Sequence, residues 1–104
     1  MNIEITFRHD DYPQALREYA AKKLDSLERF GEEFEKGEFV FVKEAGEVAC
    51  EAILHRHKGE PFVAHDRAPE GRTAVDSVID KLNRQILKFK EKHSAKARRH
   101  RAAE

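Results

Sequence analysis

The sequence predicts an α+β fold in which two helices pack on one face of a four-stranded sheet, in the order β-α-β-β-β-α. Two observations lead to this prediction. Several short segments alternate apolar and polar residues, as strands with one buried face do, and two longer segments repeat apolar residues at steps of three and four, as amphipathic helices do. Because each helix has a single apolar stripe, both need a common surface on which to bury it, and the sheet provides that surface.

The N-terminal part of the chain predicts a strand followed by a helix. Residues 3–7 alternate apolar with polar side chains, which is typical of a strand. Asp10 or Asp11 can cap the helix that follows, with Pro13 in its first turn. We expect this helix to end near Gly31. Its apolar stripe consists of Leu16, Tyr19, Ala20, Leu24, Leu27 and Phe30.

The middle of the chain predicts three consecutive strands. Residues 32–38 are nearly all charged or Gly, which indicates a loop before a strand at residues 39–43. Gly46 marks a turn, and residues 48–57 alternate apolar with polar side chains as a third strand. A tight connection then leads into a fourth strand at residues 61–65.

The C-terminal part predicts a helix and a basic tail. After a loop at residues 66–72, an apolar stripe at helical spacing predicts a second helix that ends at about His93. The stripe consists of Val75, Val78, Ile79, Leu82, Ile86 and Phe89. Residues 94–104 contain no large apolar side chain, so we expect them to form a disordered, basic tail behind a domain of residues 1–93.

The charge is distributed unevenly along the chain. At 104 residues the chain is the size of one domain, and its 38% of charged residues imply a thin core. The formal net charge is zero, yet residues 1–71 carry 10 Lys or Arg against 16 Asp or Glu. Residues 72–104 carry 10 against 4. The chain is therefore an electrical dipole by sequence.

Cysteine content and the N-terminus point to the cytoplasm. Cys50 is the single cysteine of the sequence, so the chain can form no internal disulfide and has no cysteine cluster for zinc. The N-terminus lacks the apolar segment of a signal peptide, and no stretch approaches the roughly 20 apolar residues of a membrane span. We expect a cytoplasmic protein without a membrane partner.

The second predicted helix carries a row of cations, spaced by three, four and four residues: Lys81, Arg84, Lys88 and Lys92. At 100° per residue these side chains share one narrow band, about 6 Å apart, with Gln85 beside it. Such a row can replace the counterions of a nucleic-acid backbone. The alternative is a solvated helix face. Because Asp80 and Glu91 are the two acids near enough for local pairing, most of these cations are uncompensated, which favours the RNA interpretation.

Further cations could widen this surface if the two helices lie side by side. They are Lys22 and Lys23 on the first helix and Arg8, with His9, at the end of the first strand. Equally, Lys22 could pair with Glu18, and Lys23 could cover apolar surface with its stem.

No catalytic or cofactor motif stands out. His55 and His57 share a strand face with His65 nearby, but exposed strand histidines are commoner than metal ligands. Cys50 falls in the apolar phase of its strand, as a core residue does. The sequence contains no Gly-rich phosphate loop and no nucleophile elbow. We expect no enzyme, no cofactor and no small-molecule substrate.

Three segments resemble the ribosome hibernation-promoting factor and ribosome-associated inhibitor family, also called sigma-54 modulation proteins. They are NIEITFRH, ALREYAAKKLDSLERF and TAVDSVIDKLNRQILKFKEKH. The likeness covers about residues 2–93 and is most specific from Ala74 to Lys92, where A-V-D, D-K-L and R-Q-x-x-K-x-K fall in the family's register. The chain resembles the short type of member.

The resemblance implies a protein that occupies the groove between head and body of the small ribosomal subunit. There it would block the messenger and transfer RNA sites, on small subunits and whole ribosomes, when growth slows. The rRNA contacts implied by motif position are Lys81, Arg84, Gln85, Lys88, Lys90, Lys92 and Lys23. One departure is Arg72, which stands where the family usually has Tyr, so a charge contact is expected in place of a ring contact.

Two other function classes fit parts of the sequence. A double-stranded RNA-binding module also combines a sheet, two helices and a basic helix end, although it usually starts with a helix. A protein-interaction or sigma-factor modulator would use the acidic first half as its surface. Binding that survives removal of the second-helix cations would favour that last class.

Overall fold

A computed structural model confirms the predicted fold class and element order. It describes the backbone of residues 1–8, 12–30 and 34–103, and the side chains of residues 1–8, 12–28 and 34–92. The elements are β1 (Asn2–Phe7), α1 (Gln14–Asp25), a 3-10 helix (Ser26–Phe30), β2 (Phe34–Glu44), β3 (Glu47–Arg56), β4 (Phe62–Ala68) and α2 (Gly71–Ala103).

The four strands form one mixed sheet in the order β1-β2-β3-β4, so β1 and β4 are its edges. β1 pairs with β2 in parallel, and the other two pairs are antiparallel. A parallel pair needs a crossover connection, which α1 provides. The β2–β3 hairpin closes through Ala45 and Gly46 at φ of 48° and 79°, the left-handed conformation that a two-residue turn between twisted strands requires.

Both helices cover the same face of the sheet, and the core lies between them and the strands. Most apolar residues of the two predicted stripes are buried there, with Tyr19 and Phe89 partly buried, together with alternate residues of β2, β3 and β4. The side chain of Phe30, the last residue of the first stripe, lies outside the described part. The largest fully buried side chains are Phe39, Phe41, Leu24, Leu27, Leu54, Leu82, Ile86, Val75 and Val78. Within the described ranges no polar or charged residue is fully buried, so the polar groups of the molecule concentrate on the open sheet face and the outer helix surfaces.

Residues 34–38, predicted as loop, belong to β2. Phe34 and Gly37 face the core, whereas the charged side chains between and after them point to the open face. Lys36 lies there, with its Nζ 2.8 Å from Glu4 and 3.0 Å from Glu38. The prediction was wrong because a register shift between Phe34 and Lys36 interrupts the alternation, so the charged segment does not look like a strand.

β4 is longer than predicted and the loop after it is shorter. The strand continues to Ala68, and α2 begins at Gly71 in place of the loop expected at residues 66–72. Small buried residues such as Ala64 and Ala68 let α2 approach the strand closely. Asp66 was predicted to lie in a loop, but it belongs to β4, where its carboxylate accepts a hydrogen bond from the Ser77 hydroxyl of α2.

The helix termini also differ from the predictions. Pro13 is the N-cap of α1, and its carbonyl accepts from the backbone N–H groups of Leu16 and Arg17. Asp10 and Asp11, predicted as caps, lie outside the described residues. α2 continues past His93 to Ala103 because no Gly or Pro interrupts its Ala, Lys and Arg residues. The prediction of a disordered tail concerns residues 94–104, whose side chains lie outside the described part.

Candidate nucleic-acid interface

The predicted row lies on α2, on the side of the helix that borders the edge strand β4. Lys81 and Gln85 reach the strand itself: the Lys81 Nζ donates to the His65 carbonyl at 3.0 Å, and the Gln85 Nε2 donates to the Val63 carbonyl at 2.7 Å. An edge strand has a neighbouring strand on one side only, so part of its backbone needs partners from elsewhere. These two side chains provide them.

Sequence reasoning missed this second role. The spacing predicted side chains that point to solvent, whereas in the structure Lys81 of the row and the neighbouring Gln85 point to the sheet. The spacing contained the signal: Lys81 and Gln85 are separated by four residues, or about 6 Å along a helix. The carbonyls of Val63 and His65 are two residues apart, or about 6.7 Å along a strand. The two side chains therefore have nearly the same spacing as the two carbonyls, so both hydrogen bonds can form when the helix runs along the edge strand.

Lys81 also faces a carboxylate. Its Nζ lies 3.3 Å from Asp66, which in turn accepts from the Ser77 hydroxyl and the Arg67 backbone N–H. These three interactions, with the Ser77 hydrogen bond the largest, lower the pKa of Asp66 to about 2. Asp66 is therefore ionised at every physiological pH, and Lys81 always has an acidic partner. The Lys81 side chain nevertheless remains 47% exposed.

Arg84 has an acidic partner on its own helix. Its Nη2 lies 2.7 Å from the Asp80 carboxylate one turn earlier, and its side chain is 75% exposed. A pair this exposed contributes about 0–1 kcal/mol. Arg84 can therefore exchange Asp80 for a phosphate at little cost.

The second half of the row is different. In the described part of the chain, neither Lys88 nor Lys92 makes an ion pair or a side-chain hydrogen bond, and both side chains are exposed. Lys90, which the family resemblance added, is half-buried and lies about 160–200° around the helix from these two. Lys88 and Lys92 are thus the cations of the row that have no competing partner among the described residues.

The additional cations do not all join this row. Lys22 is exposed on α1, and the Lys23 Nζ lies 5.5 Å from the centre of the Tyr19 ring. Arg8 and Lys81 line one shallow depression of about 470 Å³ with residues of the open sheet face. Arg8 nevertheless follows β1, three strand spacings or about 14 Å from β4 on the opposite edge of the sheet, so it does not join the row. Lys23 belongs to a separate cluster around Tyr19.

Arg72 belongs to that same cluster. Its guanidinium lies 5.0 Å from the centre of the Tyr19 ring, and the Tyr19 hydroxyl donates to Asp76 of α2. This hydrogen bond is the main cause of the raised pKa of Tyr19. The expected charge contact at position 72 is therefore an internal cation–π contact that ties α1 to α2.

The remaining candidates show no catalytic arrangement. Cys50 is buried, and burial raises the pKa of its thiol to about 12, as suits a core residue. His55 lies 3.1 Å from Glu38, and no group of three metal-ligating side chains occurs among the described residues. In the same part of the chain, no helix is long and apolar enough to cross a membrane.

Comparisons with known proteins identify the family of the chain. The family model described as "Sigma 54 modulation protein / S30EA ribosomal protein" matches residues 3–94. The ribosome hibernation promoting factor of Azotobacter vinelandii is 33% identical over 92 residues, covering 88% of this chain and 85% of that protein. Its Escherichia coli K12 counterpart is 32% identical, covering 88% and 96%.

Two solved structures share the fold. A ribosomal subunit interface protein from Coxiella burnetii superposes with a TM-score of 0.75 at 23% identity, covering 88% of this chain and 99% of that one. The Protein Y N-terminal domain of Thermus thermophilus gives 0.74 at 24% identity, covering 86% and 99%. With the family model spanning nearly all of the described residues, the chain belongs to the sigma 54 modulation protein / S30EA ribosomal protein family.

Proposed function

We propose that the protein is a ribosome hibernation factor that binds rRNA of the small ribosomal subunit between head and body. Bound there, in stationary phase or stress, it blocks the messenger and transfer RNA sites sterically. The mechanism requires occupancy alone and no catalytic step. Its partners are the small subunit and the whole ribosome, in the cytoplasm.

The observation that carries the proposal is the row on α2. Lys88 and Lys92 are exposed cations without an acidic partner in the described part of the chain, and Arg84 has one that is cheaply exchanged. Each cation that reaches a phosphate releases a condensed counterion, which favours binding. Relatives of the chain are named ribosome hibernation promoting factors, which supports ribosomal RNA as the source of these phosphates.

Cosedimentation with small subunits and whole ribosomes, at low and moderate salt, tests the binding. The test variant combines Lys81→Ala, Arg84→Ala and Lys88→Ala. The matched control combines Lys36→Ala, Lys43→Ala and Arg67→Ala, which removes the same charge away from α2. We expect stoichiometric, salt-sensitive binding that only the α2 variant loses. Unchanged binding by that variant, or no binding by the wild-type protein, would contradict the proposal.

The blocking step has its own measurement. Saturating amounts of the protein should reduce the binding of transfer RNA to programmed small subunits, and the α2 variant should not. Undiminished transfer RNA binding at full occupancy would contradict the steric mechanism while leaving the ribosome as partner.

A further inference from the structure

The face of the sheet that the helices leave open carries an apolar patch. Val42 pairs with Ala49 across β2 and β3. Ile53 pairs with Val63 across β3 and β4, so the patch continues over three strands. Val63 is 41% exposed, and the other members are half-buried. The patch consists of Val40, Val42, Ala49, Ile53 and Val63.

A carboxylate lies in the middle of this patch. Glu51 stands between Ala49 and Ile53 on the same face of β3, because alternate residues of a strand share a face. Across the sheet it lies opposite Val40 of β2. Glu51 is exposed and has no ion pair or hydrogen bond with any described residue. A partner that covers the patch must therefore bring a cation to Glu51, since burying an unpaired carboxylate is costly.

The patch is concave around Ala49. Its methyl group is the shortest side chain of the patch, and the shallow depression of about 470 Å³ lies there, with Val40, Val42 and Glu51 also in its lining. The volume falls in the range of about 300–1,000 Å³ that ligand sites occupy. Lysine and arginine side chains pack their apolar stems on such surfaces while the charged head binds a carboxylate. The depression therefore suits one long cationic side chain.

The charges of the open face also favour a cation. Among the described strand residues and Arg8, with His counted as neutral, the face has five carboxylates: Glu4, Glu38, Glu44, Glu47 and Glu51. It has three cations: Arg8, Lys36 and Arg67. Lys36 already binds two of the carboxylates, and Arg67 lies 3.0 Å from a third. Lys81, which borders the depression from α2, is paired with Asp66.

Arg8 is the cation of this face that has no acidic partner among the described residues. It follows β1, two strand spacings or about 9.5 Å from the strand of Glu51. That separation exceeds the screening length of about 8 Å at physiological salt. Arg8 therefore repels a cation bound at Glu51 only weakly.

We propose that the open face of the sheet docks a basic segment of another protein, with one Lys or Arg side chain paired to Glu51. Apolar side chains of the same segment pack on the patch around it. The acidic surface opposes an RNA backbone, which the row on α2 favours. The inference goes beyond the proposed function and does not depend on it, because the two helices cover the opposite face of the sheet.

Amide chemical shifts of the isotope-labelled full chain, recorded during titration with the capped hexapeptide Gly-Leu-Arg-Leu-Arg-Gly, test the docking. We expect saturable shifts at Ala49, Glu51 and Ile53, with smaller shifts on α2. Two peptides serve as controls, one with Gly in place of Leu and one with Glu in place of Arg. Each should bind at least about threefold more weakly, because each lacks one part of the proposed contact.

Variants of exposed residues identify the contacts. Glu51→Gln should weaken binding by about two- to fivefold, as loss of an exposed ion pair does. Glu18→Gln is the matched control, since it removes an exposed carboxylate of α1 and should leave the affinity unchanged. Val63→Thr keeps the β-branched shape but makes the patch more polar, so it should also weaken binding. Arg8→Gln should strengthen binding slightly, because it removes a like charge.

The signs of these effects make the test decisive. Unchanged affinity in both Glu51→Gln and Val63→Thr would overturn the proposal, as would weaker binding by Arg8→Gln, the result expected for an anionic ligand. Shifts at Ala49, Glu51 and Ile53 on adding oligouridylate alone would identify RNA as the occupant of the face. The same shifts on raising the protein concentration alone would identify a second copy of the chain. Either result would also overturn the proposal.

Discussion

The two halves of the cationic row on α2 look alike in sequence and differ in structure. Lys81 and Arg84 each lie beside a carboxylate, and Lys81 also holds the edge of the sheet. Lys88 and Lys92 have no such partner among the described residues. The comparison teaches that cations at equal spacing are not equally able to bind a ligand. A cation that already pairs with a carboxylate or a carbonyl of the protein must break that contact before it can bind a phosphate.

The largest expected effect comes from comparing charge-matched double variants. Lys88→Ala with Lys92→Ala should weaken ribosome binding more than Lys81→Ala with Arg84→Ala, because the second pair must give up internal partners to reach RNA. For two lost phosphate contacts we expect the salt slope to fall by about 1.4–1.8 in the first variant, and by less in the second. Equal losses of slope in cosedimentation or anisotropy titrations would remove the distinction between the halves.

The next effect is on stability, and here the first half of the row should matter more than the second. Lys81→Met keeps the apolar stem but deletes both the hydrogen bond to the His65 carbonyl and the ion pair with Asp66, which should lower the free energy of unfolding by about 1 kcal/mol. Lys88→Met is the control, since Lys88 makes no such bond in the described structure, and it should change stability by less than about 0.5 kcal/mol. Urea unfolding followed by circular dichroism measures both. A loss of the same size in both variants would show that the contacts of Lys81 with His65 and Asp66 do not stabilise the fold.

A smaller effect should follow from freeing a cation. Asp80→Asn removes the acidic partner of Arg84 without touching the row, so ribosome affinity should rise by about two- to threefold at low salt. The gain should disappear in the double variant with Arg84→Ala. If Asp80→Asn had no effect on affinity, the pairing of Arg84 would not limit binding.

The smallest effect concerns pH. The pKa of Asp66 is about 2 in the folded chain and 3.8 ordinarily, so ionised Asp66 stabilises the fold above pH 3.8. That contribution is lost as the pH falls through about 2. Unfolding curves of wild-type protein and Asp66→Asn should therefore differ at neutral pH and converge near pH 2. A constant difference over this range would mean that Asp66 gains nothing from Ser77 and Lys81.

The fold was predictable wherever side chains alternate or repeat without interruption. The stripes of α1 and α2 and the strands β1 and β3 follow directly from the sequence. The start of β2 was not predictable, because a register shift at Phe34 breaks the alternation and Gly37 shows no apolar side chain although it faces Leu24 closely. The boundaries around β4 failed because tertiary contacts with α2 determine them.

The candidate site was predictable as a row and unpredictable in its detail. Periodicity alone places Lys81, Arg84, Lys88 and Lys92 in one band. It does not reveal that a strand lies beside the first part of the band, because strand order is a long-range property. The contact between Phe62 of β4 and Phe89 of α2 escaped prediction for the same reason, because the two rings meet only after folding.

The hydrogen bonds from helix side chains to the sheet occur at both of its edges. On β4, Lys81 and Gln85 bond the carbonyls of His65 and Val63, and on β1 the Arg17 Nη1 donates to the Ile5 carbonyl at 2.9 Å. Exposed edge backbone is a template on which other chains add strands. Each of these three side chains occupies a carbonyl that an added strand would need, so the bonds oppose strand-to-strand aggregation.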